Sequence, residues 1–451
     1  MSQLHCFKAY DVRGRISDEI NESLAYDIGR AYAAFVKPRQ VAVGYDIRLS
    51  SPSLAAALKR GLTDSGSDVL DIGLWGTEGV YFATFAAKLD GGIMVTASHN
   101  PPNHNGMKFV REEARPISAD TGLEDMRALI ESGRLPPKDA KAGTERKLDI
   151  VGEYLAHLLS YVNTAALHEL KVVVNAGNGG AGLIVDALEP HLPFEFVKIN
   201  HQPDGAFPNG VPNPMLEENR AATAEVVRRA GADVGLAWDG DYDRCFFFDE
   251  SGQFIEGYYL VGLLAETFLQ REPGARIVHD PRLTWNTLDI VRRHGGTPVL
   301  CKSGHAFIKQ KMREVDAVYG GEMSAHHYFR RFSYCDSGMI PWLLVLAVMS
   351  ERGQPLSALV GECMRRFPAS GEINRQLSTD AKSILGRVRR NYEARARAID
   401  FTDGLSMEFE QWRFNLRGSN TEPLVRLNVE SRGNEALMRE KTAEILRLVD
   451  G

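Results

Sequence analysis

Three aspartates at alternate positions, Asp239, Asp241 and Asp243 in Asp239-Gly-Asp-Tyr-Asp-Arg244, are spaced so that a turn can converge their carboxylates on one hard cation. Mg2+ suits such a set, because it takes a few carboxylate oxygens and keeps other positions for water or phosphate. Without a cation, three close carboxylates at a buried strand end repel one another. An EF-hand reading also matches Asp239, Asp241, Asp243 and Glu250, but Arg244 stands where that loop needs glycine. A second segment, residues 96–108, presents one hydroxyl, Ser98, among cations and turn formers. Gly92 to Thr96 ahead of it reads as a short buried strand, and Pro101 and Pro102 forbid a helix directly after it. Ser98 is thus expected at a strand end, where α/β proteins put chemistry. Taken alone, these residues are also ordinary turn formers.

Two further loops carry polar groups. Gly320-Gly-Glu-Met-Ser324, continuing to Tyr328, offers Glu322 and Ser324 two residues apart, able to accept from and donate to vicinal sugar hydroxyls. The adjacent His326 and His327 lack a carboxylate at helical spacing, so a metal reading there is disfavoured. Arg417-Gly-Ser-Asn-Thr421, with Arg426, combines guanidinium, hydroxyl and backbone donors of the kind a phosphate dianion wants, although an ordinary polar turn fits equally well. Lys8, Tyr10 and Arg13 near the start, and Lys302 with His305, add polar and cationic groups.

The elements that must position these loops repeat. An apolar strand, a helical stretch, a second strand and a third recur three times, the first strands being 41–46, 171–176 and 276–280. The second strands are 69–73, 194–200 and 298–302, and the third are 92–96, 233–238 and 317–320, each running into one of the chemical loops. Strands alternating with helices imply βαβ units and mostly parallel sheets. The last part breaks the pattern: a helix over 381–398, a strand over 412–416, the arginine loop, a strand over 424–430 and a final helix, an α+β arrangement. The expected domains are 1–145, 146–250, 251–367 and 368–451, three α/β units with mixed sheets and a smaller α+β unit around a central cleft.

Composition narrows the function. A net charge of −6 with no clustered cationic stripe argues against nucleic acid, while leaving room for a small anionic ligand. Five widely spaced cysteines without a CxxC pair argue against zinc and a disulfide framework. No export signal is visible in 1–8, and the apolar stretch 339–349 is too short to span a bilayer, so a cytoplasmic protein without a membrane partner is expected. A monomer is expected, with a dimer as the alternative. Acyl transfer is unsupported, since the GxSxG elbow is missing.

In order and content, Phe7-Lys-Ala-Tyr-Asp-Val-Arg-Gly14, Thr96-Ala-Ser-His-Asn-Pro101, Asp239 to Arg244, Gly321-Glu-Met-Ser324 and Arg417 to Thr421 resemble the α-D-phosphohexomutase superfamily across essentially the whole chain. Gly321 to Arg330 is similar to the sugar loop of bacterial phosphomannomutases that supply nucleotide sugars for surface polysaccharide, and Met323 disfavours the glucosamine-phosphate branch. The resemblance implies that Ser98 is phosphorylated and, with Asp239, Asp241 and Asp243, holds Mg2+. It implies that Glu322 and Ser324 bind sugar hydroxyls, and that Arg417, Ser419, Asn420 and Thr421 grip the non-reacting phosphate, Arg426 standing nearby. Tyr10, Arg13, His99, Lys108, Arg244, His305 and His326 would line the cleft, with His99, Lys108 or His305 carrying the proton. Relatives often have Asp-Val-Lys where this chain has Asp280-Pro281-Arg282, leaving open what Arg282 does there and whether it joins Lys302 among the substrate cations. The implied reaction exchanges phosphate between the 1- and 6-positions of hexose phosphates, mannose and also glucose, through a hexose 1,6-bisphosphate. The alternatives are a glucose-dominant mutase, a serine-dependent phosphatase, or a phosphosugar-binding protein without turnover.

Overall fold

A computed structural model describes residues 4–377, 380–418 and 424–450. The chain forms two compact units, Met1–Phe254 with Arg331–Gly353, and Ile255–Arg330 with Gln354–Gly451.

In the first unit, one sheet runs Val12–Arg15, His104–Arg111, Gly91–Val95, Gln40–Tyr45, Asp68–Leu74, Glu145–Lys147. From Gly91–Val95 outward the strands are parallel, and helices Ser51–Asp64 and Thr77–Ala86 supply the crossovers that parallel pairing requires. A second sheet repeats this plan as Cys245–Phe248, Val234–Trp238, Lys171–Asn175, Glu195–Ile199, with helices Ala181–Leu188 and Ala221–Ala230 as crossovers. In the second unit, His327–Phe329, Tyr319–Gly321, Arg276–His279 and Thr297–Leu300 repeat it once more around helices Trp285–Arg293 and His305–Val315.

All three copies therefore end with an antiparallel return strand after the third parallel one, and the chemical loops are the connections between those two strands. The first of these loops is shorter than the sequence suggests. Expected to last to Lys108, it turns into strand at His104, pairing with both Gly91–Val95 and Val12–Arg15. Asn105 to Val110 are buried without interruption, so the alternation that marks a half-exposed strand is missing from the sequence. Glu145–Lys147, just after the segment 135–144 rich in proline, lysine and alanine, adds a further short strand beside Asp68–Leu74.

Helix Ile340–Arg352 is apolar nearly all round and buried accordingly in the first unit. There Trp342 meets Phe196 edge-on at 6.3 Å, and Ser350 Oγ accepts from the His168 amide at 3.1 Å. The third repeat is thus divided between the two units. Among the described residues, no single helix is long and apolar enough to cross a membrane.

The last sheet is antiparallel throughout: Ile373–Gln376, Leu424–Ser431, Trp412–Gly418, Leu405–Glu408, Ala398–Asp400. Helices Ala381–Tyr392 and Glu435–Asp450 complete a core that includes Tyr392, Phe414 and Ile445. The first helix stops at Tyr392 instead of continuing to Ala398. Its Ala/Arg-rich continuation has good helix propensity, yet Tyr392 is buried edge-on against Trp412 and Ala398–Asp400 is drawn into the sheet. Tertiary pairing overrides local preference here.

Candidate active site

Ser98 is the third residue of the connection that follows strand Gly91–Val95 and adopts φ 47°, a left-handed conformation that costs a non-glycine residue about 1–2 kcal/mol. Its carbonyl is approached so closely by Gly240 that a Cβ there would stand 2.5 Å from the oxygen. The two backbones meet only because residue 240 is glycine. This approach brings Ser98 Oγ to 2.9 Å from Asp239 Oδ2, although the two residues are far apart in sequence.

Asp239, Asp241 and Asp243 are all buried, with carboxylate oxygens lying within 4.8 Å of one another. Lys108 Nζ donates to Asp241 Oδ2 at 2.7 Å and Asp243 Oδ2 at 2.6 Å, and Arg244 Nη2 donates to Asp239 Oδ2 at 2.7 Å. Thr77, at the start of a helix, also donates to Asp241. Burial alone would favour the neutral amine of Lys108, but Asp241 and Asp243 hold its ammonium above the ordinary lysine range. Desolvation likewise works against the Asp241 anion, and the Lys108 charge and hydrogen bond reverse it, keeping that carboxyl well below the usual carboxylate range. His99 Nδ1 lies 3.2 Å from Ser98 Oγ and accepts from Arg244 Nη2 at 2.7 Å, which puts the imidazole proton on Nε2. Burial of its inner edge, with Arg244 and Arg13 nearby, pushes this imidazole well below its ordinary range.

Arg13 donates to the Ala97 carbonyl at 3.1 Å and to Asp11 at 2.7 Å, so the structure places it against the serine loop itself. Tyr10 is half-buried just before that strand. Sequence reasoning missed Arg48, which is 2% exposed. Its guanidinium donates to four loop carbonyls: Pro101 at 2.8 Å, His104 at 3.0 Å, Ser98 at 2.8 Å and Asn100 at 2.6 Å. Asp46 accepts the Arg48 amide at 3.0 Å, and the guanidinium lies 5.3 Å over the Phe207 ring.

In the second unit the Glu322 loop is built the same way. Arg282, 2% exposed, takes its backbone turn from Asp280 at 2.8 Å. Its guanidinium donates to Asp280 at 2.9 Å, Glu322 at 3.2 Å and Ser324 Oγ at 3.1 Å. Asp46-x-Arg48 and Asp280-x-Arg282 follow equivalent first strands, and each arginine holds the chemical loop of its own repeat. The signal lay in that repeated Asp-x-Arg pattern, and Arg282 is thereby a loop-holding residue. Glu322 also accepts from the Gly304 amide at 2.9 Å and from Tyr328 at 2.5 Å. His326 stacks on Tyr328 at 6.1 Å, His305 begins helix His305–Val315, and Lys302 is exposed with its ammonium 5.0 Å over Phe307. Arg417 and Arg426 face each other across paired strands, whereas Ser419, Asn420 and Thr421 lie outside the described residues.

The three α/β units and the last domain each match a known family description. The family descriptions "Phosphoglucomutase/phosphomannomutase, alpha/beta/alpha domain" I, II and III match residues 5–134, 152–252 and 256–367. The corresponding C-terminal domain matches residues 372–447. A phosphomannomutase of Escherichia coli is 60% identical, covering 100% of both chains. A protein of Xanthomonas campestris pv. campestris described as "Phosphohexose mutases" is 59% identical over 99% of this chain and 100% of its own. The crystal structure of a phosphoglucomutase/phosphomannomutase family protein from Burkholderia thailandensis superimposes with TM-score 0.89 at 31% identity, covering 99% of this chain and 97% of that one. These matches make it an isomerase of the mutase class. The chain belongs to the phosphoglucomutase/phosphomannomutase family.

Proposed function

We propose that the enzyme moves a phosphoryl group between the 1- and 6-positions of a hexose, converting mannose 6-phosphate to mannose 1-phosphate and accepting glucose phosphates as well. The carrier is a phosphoserine at Ser98, and the intermediate is a hexose 1,6-bisphosphate. The supporting observation is Ser98 Oγ at 2.9 Å from Asp239, inside a cluster of three buried carboxylates. A serine acting only as a turn former has no use for such a setting. The names phosphomannomutase and phosphohexose mutase borne by the relatives agree with this sugar range.

The residues fit Mg2+: the donor set is all oxygen, and Asp241 Oδ1 is buried with no hydrogen-bond partner. Asp239, Asp241, Asp243 and a phosphoryl oxygen on Ser98 would hold the ion, which when bound neutralises charge on the group being transferred. In the first half-reaction the Ser98 Oγ–phosphorus bond breaks as a bond forms from the sugar hydroxyl oxygen to phosphorus. The hydroxyl proton leaves to His99 or His305; Lys108, its ammonium already committed to Asp241 and Asp243, is not the acceptor expected from the sequence. The bisphosphate turns end for end, and Ser98 Oγ is rephosphorylated from the other position. Arg244 and Lys108 keep the aspartates oriented; Glu322, Ser324 and His326 read sugar hydroxyls; Arg417, Ser419, Asn420, Thr421 and Arg426 hold the phosphate that is not reacting. The product feeds nucleotide-sugar synthesis in the cytoplasm.

A coupled assay with mannose 1-phosphate and glucose 1-phosphate tests this reading. Turnover with both, and faster with mannose, is expected. Stoichiometric release of inorganic phosphate, or binding without turnover, would contradict it. Arg417→Ala should weaken both substrates about 10- to 150-fold, the magnitude of one charge-assisted bidentate contact.

A further inference from the structure

Arg417 and Arg426 occupy directly opposed positions on the paired strands Trp412–Gly418 and Leu424–Ser431. Like charges so placed repel, and an anion within reach of both relieves the repulsion. Glu372 is that anion. It precedes strand Ile373–Gln376, in which Asn374 is the partner of Arg426, so the two-residue period of a strand puts Glu372 on the arginine face. The carboxylate is 7% exposed and reaches Arg417 Nη2 at 3.2 Å, Arg426 Nη1 at 3.5 Å and Arg282 Nη1 at 3.4 Å. Burial would favour its neutral form, but the guanidiniums of Arg282, Arg417 and Arg426 together hold it below the ordinary glutamate range.

Arg282 in turn donates to Glu322 and Ser324, so one hydrogen-bonded chain runs from the sugar loop through Arg282 and Glu372 to the two arginines. Arg413 fixes the far side by donating to the carbonyls of Pro281 at 2.8 Å and Arg282 at 3.0 Å. Nothing in the reaction requires Glu372 to touch a sugar.

We propose that Glu372 is the positioning residue of the phosphate grip: it holds Arg417 and Arg426 side by side for the non-reacting phosphate and ties that grip to the sugar loop through Arg282. The proposal rests on the reading that Arg417 and Arg426 receive the phosphate. Because that phosphate occupies one place whichever end of the sugar reacts, loss of Glu372 acts on both substrates alike. Glu372→Gln keeps the shape and removes the charge, so the arginines repel and splay.

The test is steady-state kinetics on the full-length enzyme with mannose 1-phosphate and mannose 6-phosphate, for Glu372→Gln, Glu372→Asp, Arg417→Ala and the Glu372→Gln/Arg417→Ala double variant. Glu372→Gln should raise KM for both substrates by a similar factor, about 10-fold, with kcat changed far less. Glu372→Asp, which keeps the charge at shorter reach, should raise KM about 3-fold and serves as the test if the glutamine variant does not fold. The double variant should be no worse than Arg417→Ala alone within about 2-fold, because both changes act through one contact. If Arg417→Ala leaves KM unchanged, the phosphate reading fails and Glu372 loses its role with it. If Arg417→Ala raises KM but both Glu372 variants leave it unchanged or lower it, the reading stands and this inference is overturned. A rise for one substrate only, or additive effects in the double variant, also overturns it.

Discussion

Ser98 is held at φ 47° by contacts that cross the loop, and most of them come from one side chain. Arg48 donates to four loop carbonyls, of which Pro101 also accepts from the His104 amide, so it fixes both the strained backbone and the direction of Oγ. Arg48→Lys substitutes a point charge for a planar fork and cannot meet all four. It should lower kcat about 10- to 100-fold through misplacement of the nucleophile, with KM within about 3-fold. Arg48→Ala removes the guanidinium from the buried Ser98 carbonyl, at about 1–3 kcal/mol, and should also lower the melting temperature. Unchanged kcat in Arg48→Lys would mean that the loop holds its shape without the guanidinium. The aspartates and Ser98 were legible in the sequence because their types and spacing are chemical in themselves. Arg48 was not, because an arginine in the middle of a strand-to-helix connection looks like any solvated cation until its burial is known.

At the scale of elements, the same connection carries the serine, the aspartates and Glu322, each between a parallel strand and its antiparallel return. The parallel strands and crossovers were readable from apolar runs and helical spacing; the return strands at His104–Arg111 and His327–Phe329 were not, since they are short or buried throughout. The strands at Ile373–Gln376 and Ala398–Asp400 were equally hidden, their residues being polar or helix-favouring and organised only by their partners. Helix Val151–Leu159 offers a test of an element's titration. His157 lies among Phe82, Phe85, Tyr161 and Phe332, where burial lowers its pKa to about 4. The unfolded chain takes up this proton near pH 6.5 and the folded one only near 4. The neutral ring therefore contributes stability at pH 7 that is lost as pH falls through that window. His157→Phe removes the loss, so its melting temperature should gain on the wild type progressively from pH 7 to pH 4.5. Parallel curves for the two proteins would show that His157 titrates in the folded state as freely as in the unfolded one.

Over the whole molecule, Ser98 and the three aspartates belong to one compact unit, and Glu322, Glu372, Arg417 and Arg426, proposed to hold the sugar and its second phosphate, to the other. The aspartate cluster predicts that Mg2+ binds the folded chain and not the unfolded one. Added Mg2+ should therefore raise the melting temperature with a midpoint near its Kd, EDTA should reverse this and abolish turnover, and Asp241→Asn should lose the thermal shift. Equal melting with and without Mg2+, together with full turnover in EDTA, would remove the ion from the account. The central claim is that Ser98 carries the phosphate that moves. Intact mass, with peptide mapping, of the enzyme after exposure to glucose 1,6-bisphosphate reads it directly. The account predicts an added mass of about 80 Da confined to Ser98, lost on mixing with excess mannose 1-phosphate as bisphosphate forms, and absent with turnover in Ser98→Ala. Turnover at the wild-type rate in Ser98→Ala, or an enzyme that never gains that mass while cycling, would contradict it.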